Sequence, residues 1–379
     1  MNPCARPVIC FTLSLLTCSV HAQSSVSLYG IVDTGVEYVS HTNAAGSGLF
    51  RMPSVSGELP SRWGLRGEEA LATGYSVLFD LENGFNPRGG DIGQGGRLFG
   101  RQAFVGLKGP AGTVAFGRQY TMTFLSLAGA AVLGPDIYGL GALDAYIPSG
   151  RADNAVTYMV GLYGFTFGAG YSFGRDSTGT GNSPGQGTCV GSVPGNPVEC
   201  RDMSAMLVYD SAVFGFATSY EEQRGGANAA ANFFDGVPPV SLTNSSSKDS
   251  RAHVSGYVKW NDAKLSAGWI NRQVVIDSTA IPSARSNLFF IGGAYSLTPA
   301  LLIDGQLYRI VNPTHDTRAS MAALRATYFL SSRTAVYAHV AYLANSTNGR
   351  YSVSGGGGGT TPNGGMGQTG VMLGVRTSF

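Results

Sequence analysis

The groups in this chain that could do chemistry fall into two sets. The first would be catalytic. "GNSPG" (181–185) fits the G-x-S-x-G pattern of a nucleophilic serine, but it lies in a Gly/Ser-rich run with no strand leading in and no helix following; a nucleophile elbow needs both. The five histidines are scattered, and neither H-E-x-x-H nor C-x-x-C occurs. "GGDIGQGG" (89–96) and "GGGGG" (355–359) lack the Lys-Ser/Thr of a phosphate loop. The second set is fixed charge. Only four of the 25 cationic side chains are lysines (Lys108, Lys248, Lys259, Lys264). Arginine keeps its charge in any surroundings and holds a rigid planar fork, which suits a confined aqueous space. Arg62 and Arg66 in "SRWGLRGEE", Arg101 and Arg151 recur in alternating segments, and Arg118 closes another. Between them runs a long apolar stretch, 119–150, carrying Asp136 and Asp144. Opposed rows of such charges across a narrow gap would create a transverse field that aligns dipolar solutes and sorts ions.

Charge rows need a rigid wall to hold them. The chain has 379 residues, of which 13% are charged, 11% aromatic and 55 are glycine; soluble domains carry roughly 25% charge and about 7% glycine. Mean hydropathy is close to zero, and past the N-terminal segment there is no apolar run of the roughly 20 residues that a spanning helix requires. Alternating apolar and polar residues cancel on a hydropathy scale, as in a membrane barrel. A formal net charge of +2 leaves no basic patch for nucleic acid. "MNPCARPVICFTLSLLTCSVHA" (1–22) predicts a secretory signal cleaved after Ala22. The exported chain then keeps Cys189 and Cys200, which flank a Gly/Pro-rich loop. They are either unrelated thiols or, as an oxidising compartment favours, a disulfide. Zinc needs more ligands than these; no metal or cofactor is expected.

Alternating segments recur over 26–39, 61–69, 75–85, 97–108, 112–118, 151–160, 163–173, 204–210, 214–222, 251–260, 264–273, 287–297, 300–310, 318–330, 334–343 and 370–379. Long and short connections take turns between them, the layout of a transmembrane antiparallel up-and-down β-barrel of about 16 strands. In "VSLYGIVDTGVEYVS" (26–40) the even positions are mostly apolar and the odd ones include Asp33 and Glu37. The apolar face is therefore expected against lipid and the carboxylates in an aqueous lumen. The same parity turns Arg62, Arg66, Arg101, Arg151, Asp153, His253 and His339 inward. Arg118 shares parity with Val114 and Phe116, so it must lie past the lipid band where its strand bends. A soluble β-sandwich would bury the same apolar faces, but it explains neither the loop rhythm nor the aromatics near strand ends (Tyr38, Trp63, Trp260, Trp269, Phe379).

At "SRWGLRGEE" (61–69), "FGRQAFVGLKGPAGTVAFGRQ" (99–119), "RADNAVTY" (151–158), "YFLSSRTAVYAHVAY" (328–342) and "VRTSF" (375–379) the sequence resembles the general trimeric porins of Gram-negative bacteria, in their β-proteobacterial branch. The likeness spans the mature chain in motif order. It implies an outer-membrane homotrimer, a third extracellular loop (here about 119–150) folded into the lumen, and passive diffusion of small hydrophilic solutes and ions. It also implies partners: outer-membrane lipid and lipopolysaccharide, and an assembly machinery that reads the terminal Phe379. By the same resemblance Arg62, Arg101 and Arg151 line one wall of the constriction, with Arg66 and Arg118 nearby and Asp136 and Asp144 facing them. The acidic "PEFGGD"-like stretch of the enteric branch is absent, and the last stretch reads Arg-Thr-Ser-Phe (376–379), with Thr377 where relatives often carry histidine after the arginine. The competing expectation is an outer-membrane barrel enzyme of the esterase or lipase type, which would need a serine beside His253 or His339.

Overall fold

The structure is a computed structural model that describes residues 24–54, 57–71, 74–144, 150–177, 187–278 and 282–379. The expected signal segment and "GNSPG" lie outside the described residues. In chain order the strands are β1 (Ser24–Val39), β2 (Leu49–Arg51), β3 (Arg62–Ala70), β4 (Ser76–Gly84), β5 (Gln102–Gly109), β6 (Gly112–Tyr120), β7 (Arg151–Leu162), β8 (Phe165–Ser172), β9 (Asp202–Asp210) and β10 (Phe214–Arg224). Then follow β11 (Ala230–Ala231), β12 (Val240–Ser241), β13 (Lys248–Trp260), β14 (Ala263–Val275), β15 (Ala284–Thr298), β16 (Leu301–Asn312), β17 (Thr317–Phe329), β18 (Thr334–Asn345) and β19 (Gln368–Ser378). One short helix, α1 (Met122–Leu127), follows β6.

Seventeen strands form one antiparallel sheet, and β11–β12 make a separate two-stranded ribbon. The three-residue β2 only flanks the upper end of β1, which leaves sixteen strands around the barrel. The sheet closes on itself because β1 pairs along one edge with β3 (Ile31 opposite Arg62) and along the other with β19 (Ile31 opposite Ser378). Closure removes the open edges that would otherwise recruit other strands. At the seam Gly30 and Phe379 exchange both backbone hydrogen bonds. A Cβ on residue 30 would lie 2.4 Å from the Phe379 ring, so only glycine lets the terminal aromatic lie across β1.

The two faces differ as a period of two requires. On β1, Val26, Leu28 and Val36 are exposed while Asp33 and Glu37 are buried. On β17, Leu324 is 53% exposed and its neighbour Arg325 5%. Trp260, Tyr295, Tyr328 and Phe379 stand exposed near strand ends, where amphipathic rings suit the membrane boundary. None of the described helices is long enough to span a membrane; the crossing is made by strands.

The largest apolar cluster lies on the opposite face from this exposed band. Leu127, Leu133, Ile137, Tyr138, Leu140 and Leu143 pack on Ile270, Leu288, Phe290, Tyr308, Met321 and Tyr337 of β14–β18. The apolar character of segment 121–144 thus has a local cause: it covers a wall that the strands built from apolar side chains. Helix α1 rests on β8, β9, β10 and β13.

Candidate functional site: the charged inner wall

Arginines on neighbouring strands form one wall. Arg62 enters at the start of β3, and Arg101 precedes β5, held by its N–H donating to the Glu82 carbonyl (3.1 Å). The sequence placed Arg101 inside a strand; the structure places it one residue before β5. Both guanidiniums converge on Glu82 of β4, Arg101 Nε at 2.6 Å and Arg62 Nε at 3.3 Å. Tyr29 donates to the same carboxylate (3.1 Å) and to Asp80 (2.8 Å). Arg66 lies nearer the short-turn end, exposed, directly opposite Asp80 in register and 5.0 Å from the Tyr29 ring centroid.

Arg151 opens β7 and lies 4.8 Å from the centroid of Tyr120, whose hydroxyl accepts from Arg101 Nη2 (2.6 Å) and Arg151 Nη2 (3.4 Å). Tyr120 in turn stacks on Phe124 of α1 (4.4 Å, 8° between planes). These aromatics join the arginine wall to the start of the long segment. Arg118 is buried against Asp153 and donates from Nε to the Gly100 carbonyl (2.8 Å). The bend expected there coincides with a register shift between β6 and β7 at Gly117/Gln119.

Asp136 and Asp144 are not set against Arg62, Arg101 or Arg151. Asp136 is bound by Arg325 Nη1 of β17 (2.8 Å) and by His339 Nδ1 of β18 (2.9 Å), and its Oδ1 accepts the Tyr138 N–H (2.8 Å). Asp144 lies 3.0 Å from Arg251 Nε on β13 and 3.8 Å from Arg272 Nη1 on β14. The acids therefore fasten the segment to the far wall. Burial, with the Glu37 and Asp136 carboxylates close by, pushes the Tyr138 phenol well above its usual range, so it stays neutral at the tip of the segment.

Glu58 and Glu82 were missed by the sequence reading. The connection between β1 and β3 turns toward the lumen side, where Glu58 meets Arg376 Nε (3.0 Å) and Arg325 Nη1 (3.7 Å). Its Gly57 carbonyl accepts the Ile137 N–H (3.0 Å), while the Ile137 carbonyl accepts from Gly355 of the last long connection (2.7 Å). Parity alone could have flagged Glu82, which shares Arg62's face across the β3–β4 pair. Nothing local signals Glu58.

The serine–histidine pair that an enzyme would need does occur. Ser126 Oγ lies 3.1 Å and Ser219 Oγ 3.4 Å from His253 Nδ1. All three are buried, and His253 Nε2 has no hydrogen-bond partner among the described residues, so no acid or amide orients the ring. The pair ties α1 to β13. Cys189 and Cys200 are joined in a disulfide and lie in an apolar cluster of the upper loops with Phe233 and Leu242.

A closed antiparallel barrel with an apolar outer band and a charged inner wall defines a β-barrel channel of the outer membrane. The profile of the Gram-negative porin family matches residues 9–348, and the chain belongs to that family. It is 30% identical to an outer membrane porin protein of Bordetella pertussis over 86% of this chain and 91% of the relative. With outer membrane porin protein 32 of Delftia acidovorans it shares 29% identity over 94% and 95%. Among solved structures it resembles the anion-selective porin from Comamonas acidovorans, with a TM-score of 0.75 and 25% identity, covering 94% of this chain and all of that one. The chain is an outer-membrane porin with a water-filled channel for passive diffusion.

Proposed function

We propose that this porin passes small hydrophilic solutes with a preference for anions, and that selection occurs where Arg62, Arg101 and Arg151 face segment 121–144, with Arg66 and Arg118 flanking. The carrying observation is where the carboxylates are engaged. Asp136 and Asp144 are held by Arg325, His339, Arg251 and Arg272 on the far wall. Glu82 and Asp80, with Asp153 against Arg118, are the acids set among the five arginines of the row. A passing anion meets guanidiniums whose neutralisation is incomplete, and rings of such charge set ion preference. The likeness to an anion-selective porin supports the same sign.

The functional unit is a homotrimer with one channel per chain, a reading supported by the family resemblance. Reconstituted in a planar bilayer, the protein should insert in three-step conductance increments, and its reversal potential in a KCl gradient should have the sign of chloride preference. A cation-preferring wild-type channel would overturn the assignment of the selective wall.

A further inference from the structure

The outer face of β14–β18 carries a second pattern that conduction does not use. Near the membrane boundary one register row runs Trp269, Phe289, Arg309, Ser320 across β14–β17. Trp269 and Phe289 stack there (6.4 Å, 15°), marking the level of the headgroups. Arg309 stands on that row, Arg318 two residues higher on the adjacent strand and Arg285 higher still on β15. Adjacent strands are about 4.8 Å apart and residues along a strand about 3.3 Å, so the three arginines climb in steps of about 7 Å, a spread that one headgroup bearing more than one phosphate covers. All three are exposed, and among the described residues none forms an ion pair. Arg309 donates only to the Ser320 hydroxyl (2.7 Å). Asn271, Asn287 and Gln273 lie beside them in a chain of side-chain hydrogen bonds. Along the inner wall most arginines are engaged by carboxylates; here three are left to solvent near one rim of the outer surface.

Immediately toward the membrane, the next rows form an apolar groove of about 590 Å³ lined by Leu265, Ile291, Leu307, Leu324, Val340 and Tyr342. Its floor is thin because Gly293 and Gly305 are paired directly across β15–β16. The arginines lie at the rim bearing the long connections, which is the extracellular rim in this architecture.

We propose that this face is a specific seat for the phosphorylated, acylated lipid anchor of lipopolysaccharide. Arg285, Arg309 and Arg318 take its phosphates in charge-assisted, forked hydrogen bonds, and the groove over Gly293 and Gly305 takes an acyl chain. Charge complementarity selects the occupant. Cations spread over three strands and three register levels suit a headgroup with more than one phosphate, and the outer-leaflet level suits a lipid of that leaflet.

The test uses the full-length, delipidated protein in detergent micelles and counts bound lipid by native mass spectrometry. The probes are bis-phosphorylated lipid A, its dephosphorylated form and phosphatidylglycerol. One lipid A per chain is expected, with both other probes much weaker. The variant R285A/R309A/R318A should bind lipid A roughly 100-fold more weakly, on the scale of surface cations acting on anionic lipid. Gly293→Leu fills the groove, since a Cβ there meets only Leu265 Cδ2 at 3.2 Å and the Lys264 carbonyl oxygen at 3.5 Å, and it should weaken binding of both phosphorylated and dephosphorylated lipid A. Unchanged channel conductance in both variants verifies folding. Equal binding of phosphatidylglycerol, or wild-type lipid A affinity in the arginine variant, overturns the proposal. So does loss of the oligomer in that variant, which would make this face a contact between subunits.

Discussion

Replacing Arg62 by glutamine tests the selective wall most directly. Its side chain is 22% exposed, more than its partner Glu82 at 5%, and it lies at the start of β3 where it can meet a solute. A unit charge about 4 Å from a permeating ion is worth about 1 kcal/mol in water. Removing it makes the anion about 1 kcal/mol less favoured and the cation as much less disfavoured. The permeability ratio should therefore fall by about 2 kcal/mol, close to 30-fold, at low salt. Glu82 remains bound to Arg101 at 2.6 Å, so the barrel should stay folded and the change is electrostatic. The effect should shrink steeply toward 1 M salt, where the screening length is about 3 Å. Reversal potentials in planar bilayers, read at low and high mean KCl, provide the assay. Glu82→Gln should move the potential in the opposite direction. If both variants keep the wild-type potential at low salt, the narrowest point lies elsewhere and the reasoning fails.

Asp136→Asn should remove one of the carboxylates on Arg325, which keeps Asp304 through Nε (3.0 Å) and Nη2 (2.6 Å), and, as the loss of one charge-assisted hydrogen bond in a buried cluster, cost about 1–3 kcal/mol. A lower melting temperature in detergent, together with noisier single-channel traces from a loosened segment, is the expected result. Reducing the Cys189–Cys200 bridge, whose partners are 11 residues apart, should free the upper loop by about 3 kcal/mol. Limited proteolysis should then cut within 190–199 while conductance stays the same. Gly374→Ala places a Cβ 2.3 Å from the Tyr337 hydroxyl and should destabilise the barrel by about 1–3 kcal/mol, read as a lower urea midpoint for unfolding.

The strands were legible because their signal is local. Alternation in "RADNAVTY" or "GVMLGVRTS" needs only a period of two, and the boundaries of the sixteen strands fall within three residues of the expected ones, except the start of β5, expected at 97 and found at Gln102. Parity also assigned faces correctly to Asp33, Glu37, His253 and His339. It cannot say what stands across the lumen. Asp136 finds Arg325 across 189 residues of chain, and Asp144 finds Arg251 across 107. Such pairings follow from the path of a loop inside a closed tube, which no window of sequence contains. Glu58 escaped for the same reason: its connection looked like an ordinary polar loop until Gly57 was seen to receive Ile137. The short ribbons β2 and β11–β12 were missed because two or three residues carry no period.

The β1–β19 seam bears on how the molecule comes into being. Ile31 leaves the ribosome early and pairs with Ser378, which is made long after it. Every other neighbouring pair in the wall can form as soon as a hairpin is complete, but this ladder has to await β19, the slowest kind of contact to find. Until then the first and last strands each offer an unsatisfied edge, so the unfinished chain is most vulnerable to wrong partners during its transit, before the ends meet.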